Sequence, residues 1–301
     1  MERMMTNDIR LLAENDPLVI LSRKQAREKI ANAMRKDGTF DWAKLPNLIT
    51  TNTKLDKVAD EHKSTSFDEI MIMGFQGVPH WISGYNTCAG ASLQCARECI
   101  VFSGHGQRFM IHDGRHNVLI ARIARTLIMK EHREQFNARF IKEVQAKIRK
   151  ARKLGVGIAL RPNVFTDEPF HIHMPQLWDL DLDYIYDYTK VLKATKIMMH
   201  DMGTYHITLS RNENTTQSDM IKAIRNKINV TLVIDLQDGE TFPDTWTFDD
   251  GVESVTVPTI DGDKSDHRFL DPQPVAVLLK LKRSGNVDGD DTSGFATRLV
   301  A

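Results

Sequence analysis

Apolar residues along this chain follow two rhythms. Over 17–36, Val19, Ile20, Ala26, Ile30 and Ala33 recur at near-helical spacing, and Asp37-Gly38 ends the segment. Over 115–153, Val118, Ile120, Ile123, Leu127, Ile128, Phe136, Phe140, Ile141, Val144 and Ile148 keep the helical period with basic residues between them, which predicts one long or two consecutive amphipathic helices. Between these stretches, 67–75 carries the short run Ile70, Met71, Ile72 and Met73. It closes at Gly74 and Gly77 and predicts a buried strand. After Gly155 the rhythm shortens to apolar runs at 156–160, 184–186, 205–209, 230–234, 255–260 and 275–281, with helix-sized segments at 174–179, 191–196 and 217–227. Strands alternating with helices imply βαβ units and a mostly parallel sheet.

Seven such strands suit an open doubly wound sheet or a full or partial (β/α) barrel of the TIM type. The polar residues at the strand ends favour the barrel. They are 86–99, then Arg161, Asn163 and Asp167, then Asp187, Tyr188 and Lys190, then Ser210 and Asn212, then Asp235, then Asp261, Asp263 and Lys264. In parallel β/α architectures these ends converge on one face, where sites are built. The expected organisation is a partly helical N-terminal extension, 1–66, and a barrel-like domain, 67–301.

Composition narrows the function. The 301 residues hold 40 Lys plus Arg against 40 Asp plus Glu, which argues against a protein built to coat nucleic acid. The balance is uneven, with 13 basic and 4 acidic residues over 108–153 against 6 and 14 over 235–301. Nucleic acid would therefore meet the chain only through a basic face at 108–153, and a solvated amphipathic face explains that stretch better. No apolar run approaches the roughly 18 residues of a membrane span, and the first 16 residues lack a signal-peptide core, so a cytoplasmic protein is expected.

All three cysteines fall in the segment Ser83-Gly-Tyr-Asn-Thr-Cys88-Ala-Gly-Ala-Ser-Leu-Gln-Cys95-Ala-Arg-Glu-Cys99. An odd number fits badly with a closed disulfide framework. Cys95 and Cys99 are four apart, as on one helix face, and Cys88 would reach in from the preceding loop. Three thiolates so placed can hold three corners of a [4Fe-4S] cluster and leave the fourth iron for another ligand or a substrate. Two other readings stand beside it: a zinc site with His105 or His112 as fourth ligand, and buried reduced thiols.

Cysteines placed after the first barrel strand resemble radical S-adenosylmethionine enzymes, and that likeness implies S-adenosylmethionine as a cosubstrate. The C-x6-C-x3-C spacing departs from their usual C-x3-C-x2-C, and no Gly-Gly-Glu-like motif follows the second strand. More of the chain resembles the phage "gene product 88"-like family. The blocks that carry the resemblance are the cysteine segment with Gly104-His-Gly106, Arg161-Pro-Asn163 with Thr166-Asp167, Tyr186-Asp-Tyr-Thr-Lys190, Tyr205-His-Ile-Thr-Leu-Ser210, Ile260-Asp-Gly-Asp-Lys-Ser-Asp-His-Arg-Phe-Leu-Asp271 and Thr292-Ser-Gly-Phe295. The resemblance implies a phage origin and a cysteine-ligated metal site, and supplies no substrate.

The remaining residues suggest a ligand pocket. Arg161, Asn163, Asp167, Tyr188 and Lys190 together offer a guanidinium fork, an amine, a phenol and a carboxylate for a small anionic molecule. An Arg161–Asp167 pair closing the barrel mouth is the structural alternative. The segment 261–268 lacks the register of a calcium loop and reads as a turn whose carboxylates pair with Lys264 and Arg268. His171 and His173, two apart as on one strand face, suggest at most a minor metal site. No Walker or Gly-x-Gly-x-x-Gly motif occurs. Two functions follow: an iron–sulfur enzyme of the radical type, or a non-catalytic binding module in which zinc or a cluster fixes the loop 77–106.

Overall fold

The computed structural model describes residues 10–11, 13–51, 70–99, 117–282 and 294–299. His105, His112 and the Gly104-His-Gly106 block lie outside them. In chain order the main elements are α1 (Pro17–Ala33), β1 (Ile49–Thr50), β2 (Ile70–Phe75), α2 (Leu93–Arg97), α3 (Asn117–Glu131), α4 (Arg133–Leu154), β3 (Gly157–Arg161), α5 (Phe170–His173), β4 (Tyr184–Thr189), α6 (Ala194–Asp201), β5 (His206–Ser210), α7 (Gln217–Arg225), β6 (Asn229–Ile234), β7 (Thr245–Asp249), β8 (Ser254–Asp261) and β9 (Ala276–Lys280).

The protein is a mixed α/β fold with a mostly parallel nine-stranded sheet in the order β1-β2-β3-β4-β5-β6-β9-β8-β7. Strands β3 to β6 neighbour one another in chain order and run parallel, and β9 then joins β6. Consecutive strands side by side are what barrels have and what the reversing order of a doubly wound sheet lacks. The expected closure is not seen. β7 and β8 form an antiparallel hairpin beyond β9, β1 pairs antiparallel with β2, and among the described residues no pairing joins β1 to β7. Beyond β9 the chain thus continues the sheet with a hairpin. No helix among the described residues is long and apolar enough to cross a membrane.

The chain forms two compact units. The first comprises 1–50, 73–155 and 163–181, and the second 51–72, 156–162 and 182–301.

In the first unit, α1 starts where the Asp16 carboxylate accepts the N–H groups of Leu18 and Val19 at 2.8 and 3.2 Å, beside a proline suited to the first turn. The 115–153 stretch resolves into two helices, α3 and α4. α4 ends at Gly155, whose φ of 70° lets the backbone turn left-handed at no steric cost. Its core is aromatic: the Phe75 ring lies 5.5, 6.2 and 5.7 Å from those of Phe136, Phe140 and Phe170.

In the second unit the strands alternate, with Asp187 and Thr189 as polar exceptions in the apolar phase of β4. Ile158, Leu160, Ile185, Ile207, Leu209, Val230, Leu232 and Ile234 form one side, all buried, and this is the apolar side. The sheet register puts Arg161, Tyr186, Tyr188, His206, Thr208, Ser210, Asn229 and Thr231 on the other side. That side is polar, yet most of it is also buried, since the segment Arg268–Leu270 lies across it with Phe269 stacked on Tyr184 at 4.3 Å.

His171 and His173 do not lie on a strand. They fall in the single helical turn α5, where residues two apart point in different directions, so the strand-face argument for a metal pair fails.

Candidate functional site

The cysteine loop leaves β2 through Gly77 and Val78. Thr87 fastens it: its hydroxyl donates to the carbonyls of Val78 and His80 at 2.7 and 3.3 Å, and its N–H donates to the His80 carbonyl at 3.2 Å. The Thr87 carbonyl in turn accepts the Asp167 N–H at 2.8 Å. Asn86 accepts the Cys88 N–H at 3.0 Å, and Ser92 caps α2 by accepting the Cys95 N–H at 3.1 Å. Small polar residues around the cysteines thus fix the turn and start the helix.

All three thiols are reduced and half-buried. The Cys88 sulfur lies 3.7 Å from the Phe165 carbonyl. Burial pushes its thiol well above the usual range, the His80 N–H works against that shift, and Cys99, Cys95 and Asp167 add to it through their charge. His80 directs its N–H with a φ of 38°, a left-handed conformation a side-chain-bearing residue rarely adopts, of the kind found at functional sites. The His80 ring is itself buried, which lowers its pKa to about 4 and keeps it neutral.

Arg122 stands beside the loop. Its guanidinium lies over the Phe165 ring at 4.3 Å, and its Nε is buried with no hydrogen-bond partner among the described residues. Burial lowers its pKa, and the charge of Cys99 opposes that shift. Among the described residues, no three His, Cys, Asp or Glu side chains converge closely enough to ligate a single ion.

The second constellation is the polar side of the sheet in the second unit. Arg161 donates from Nη1 to Asp266 Oδ2 at 2.6 Å and lies 4.7 Å over the Tyr188 ring. Burial opposes the Arg161 charge, but Asp266 holds its pKa above the ordinary value. Arg268 donates to the Ser265 carbonyl at 2.5 Å and pairs with Asp271 at 3.1 Å. Burial raises the pKa of Tyr186 and Tyr188, and lifts Asp271 to about 7. Arg161 Nε, Tyr186 Oη, Arg268 Nε and Thr231 Oγ1 are buried with no hydrogen-bond partner among the described residues. Asp271 Oδ1 and Oδ2 lack a hydrogen-bond partner there as well, and buried polar groups without partners are few enough in native proteins that the cluster calls for an explanation.

Of the residues expected to form a ligand pocket, Arg161 and Tyr188 meet. Lys190 follows at the next strand end and donates to Ser210 Oγ at 3.0 Å. Asn163 and Asp167 belong to the first unit. The Asn163 amide builds a turn: its oxygen accepts from Thr166 Oγ1 at 2.7 Å and from the Glu168 N–H at 2.8 Å, and its nitrogen donates to the Glu168 carbonyl at 3.0 Å. Asp167 lies within electrostatic reach of Cys88.

The proposed Arg161–Asp167 pair is replaced by Arg161–Asp266. In the 261–271 turn Arg268 does pair with a carboxylate, whereas Lys264 is exposed and Asp263 pairs with Lys282 at 2.9 Å. Asp187, expected at the strand end beside Tyr188, points to the opposite side and accepts from Tyr205 Oη at 2.5 Å.

Sequence reasoning passed over Tyr186, Thr231 and Arg122 as site residues, and read Asp266 only as one of the turn carboxylates pairing with Lys264 and Arg268. Tyr186 and Thr231 were signalled by the alternation in Tyr184-Ile-Tyr-Asp-Tyr-Thr and Asn229-Val-Thr-Leu-Val-Ile. Arg122 gave no such sign among the many basic residues of its helix.

Together these features define an α/β protein with consecutive parallel strands, a three-thiol loop behind β2 and a buried polar sheet face. The chain belongs to the Gene product 88 family, whose model matches residues 46–298. No curated protein and no solved structure matches it.

Proposed function

We propose that the chain is an iron–sulfur protein in which Cys88, Cys95 and Cys99 hold a [4Fe-4S] cluster with one iron left open, in a radical-type enzyme of the host-cell cytoplasm that takes S-adenosylmethionine as cosubstrate. One observation carries this reading: every cysteine of the chain sits within 12 residues of one pinned loop behind β2, with the N–H of a left-handed His80 directed at Cys88. The donor set suits the cluster, since soft thiolates select iron–sulfur or zinc and N–H donors to sulfur tune such clusters.

When bound, the cluster supplies one-electron transfer and an open coordination position. The chain's own part is positional. Thr87 and Ser92 hold the loop and the start of α2, His80 offers its N–H to the Cys88 sulfur, and Arg122 places positive charge beside Cys99.

Anaerobic purification with iron and sulfide analysis tests the proposal. About four irons and four sulfides per chain with brown charge-transfer absorption are expected. A colourless protein with one zinc and no sulfide overturns it. Release of deoxyadenosine from S-adenosylmethionine by the reduced protein tests the enzymatic part.

A second reading, a non-catalytic module with a metal-fixed loop, draws on the contact of the Cys88 thiol with the Phe165 carbonyl, a structural tie in its own right. On that reading Cys95→Ser lowers thermal stability and abolishes no turnover.

A further inference from the structure

We infer that the buried polar face of the second unit is the seat of a small oxyanion, a carboxylate or phosphate group of a low-molecular-weight ligand, bound by Arg161, Tyr186 and Arg268. The inference deepens the anion pocket expected at Arg161 and Tyr188, and it does not depend on the cluster.

The argument starts from satisfaction. A buried donor without an acceptor forfeits its hydration and gains nothing, so native chains hold few of them. Here three donors cluster on two adjacent strands and one loop: Arg161 Nε, Tyr186 Oη and Arg268 Nε, on residues that are 5, 0 and 2% exposed. All three are donors or can act as donors; the buried acceptors Asp271 Oδ1 and Oδ2, also without a hydrogen-bond partner, belong to the carboxylate facing Arg268 Nη1 at 3.1 Å, so what the three donors lack is a further acceptor with several lone pairs. Guanidinium forks match the planar carboxylate and the phosphate oxygens better than any neutral group does.

Asp266 shows what such a group does here. Its carboxylate takes one edge of the Arg161 fork at 2.6 Å, and Tyr188 supports the guanidinium plane from its ring face at 4.7 Å. The charge points the same way. Two arginines face Asp266 and Asp271, and Asp271, lifted to about 7 by burial, is only partly ionised near neutrality. Burial thus weakens the negative charge that offsets the two arginines, in a site of low dielectric.

The covering segment is tied at its ends and along its length, where Asp266 takes Arg161 at 2.6 Å and Phe269 stacks on Tyr184 at 4.3 Å. At one end the Gly262 N–H donates to the Leu278 carbonyl at 2.8 Å. At the other, Asn229 accepts the Val275 N–H at 2.9 Å and donates to the Pro272 carbonyl at 3.0 Å.

The test uses the full chain with inorganic phosphate and with malonate, each against sodium chloride of matched ionic strength, by thermal shift and titration calorimetry. At least one probe is expected to raise the melting temperature and to bind. Phosphate alone would identify a phosphorylated ligand, malonate alone a carboxylate, and both the shared chemistry. Tyr186→Phe removes only the unpaired hydroxyl. It is expected to melt no lower than the wild type and to bind the active probe about tenfold more weakly. Arg161→Lys keeps the charge but loses the fork, and should weaken binding similarly while the cysteine loop and any iron content stay unchanged. The inference is overturned if neither probe acts beyond chloride, or if binding survives both substitutions.

Discussion

Gly77 is the position at which the cysteine loop is most exposed to a single methyl group. A Cβ there would sit 2.7 Å from Phe75 Cε1 and 2.8 Å from Thr126 Oγ1. Neither neighbour can give way. The Phe75 ring is fully buried among Phe136, Phe140 and Phe170, and Thr126 accepts the Val78 N–H at 3.0 Å while donating to the Arg122 carbonyl at 3.0 Å. Gly77→Ala must therefore displace the backbone at Val78 or break the Thr126 bond. Overpacking costs about 1–3 kcal/mol, and losing a buried hydrogen bond costs about as much again. The lower chain entropy of alanine in the unfolded state returns about 0.4–1 kcal/mol. A net loss of roughly 2–4 kcal/mol is expected, read as a lower urea midpoint at unchanged m-value. Because Val78 accepts Thr87, the anchor of the loop, the variant should also retain less iron after anaerobic reconstitution. A midpoint equal to or above the wild type would refute the reasoning, since no rearrangement of a pinned ring and a committed hydroxyl absorbs contacts that short without cost.

Arg122→Met should slow the alkylation of Cys99 by iodoacetamide severalfold at mildly alkaline pH, because a positive charge that favours the thiolate is gone; an unchanged rate by peptide mapping would exclude that role. Asn163→Ala leaves the Glu168 N–H and Thr166 hydroxyl without their acceptor and should cost about 1–3 kcal/mol in denaturant unfolding, and a neutral result would remove Asn163 as the turn's organiser. Burial lowers His80 and His206 from 6.5 to about 4, so the stability each contributes is complete above pH 6.5 and is lost as pH falls toward 4. Asp271 runs the other way: raised from 3.8 to about 7, it contributes stability that is complete below about 4 and lost as pH rises through 7. Unfolding followed from pH 6.5 to 8 should show a decline of at most ~1.4 kcal/mol per pH unit that Asp271→Asn flattens, and a decline that persists in the variant would assign it elsewhere.

Much of the fold was legible because periodicity reports burial directly. The runs at 156–160, 205–209 and 230–234 became β3, β5 and β6 within a residue or two, and the basic stretch 115–153 became two helices. β7 escaped because Thr245-Trp-Thr-Phe-Asp keeps only Phe248 buried, as suits an edge strand with little apolar signal. The barrel expectation rested on where the polar strand ends lie, and strand ends say nothing of whether the outer strands meet. The cysteine loop was legible as a unit, since three like residues in 12 positions need no structure to be noticed. The partner of Arg161 was not. Asp266 lies 105 residues away and reaches it because the loop after β8 folds across the sheet, a long-range contact that local pattern cannot encode.

The two sides of the sheet in the second unit differ in what their burial costs. On the apolar side, each buried branched residue contributes favourable burial at no polar cost. On the other side, phenylalanine in place of Tyr186 and valine in place of Thr231 would fill nearly the same volume and leave no donor unpaired, so packing alone offers no reason for the hydroxyls. The same holds for Arg268, whose guanidinium is among the most buried side chains of the molecule and whose neighbours include a carboxylate held partly protonated by its surroundings. Stability would be served better by an apolar face. A chain that instead keeps two arginines, two tyrosines and two carboxylates beneath the segment 264–271 carries a cost that folding does not require, and ligand recognition is the role we propose for them.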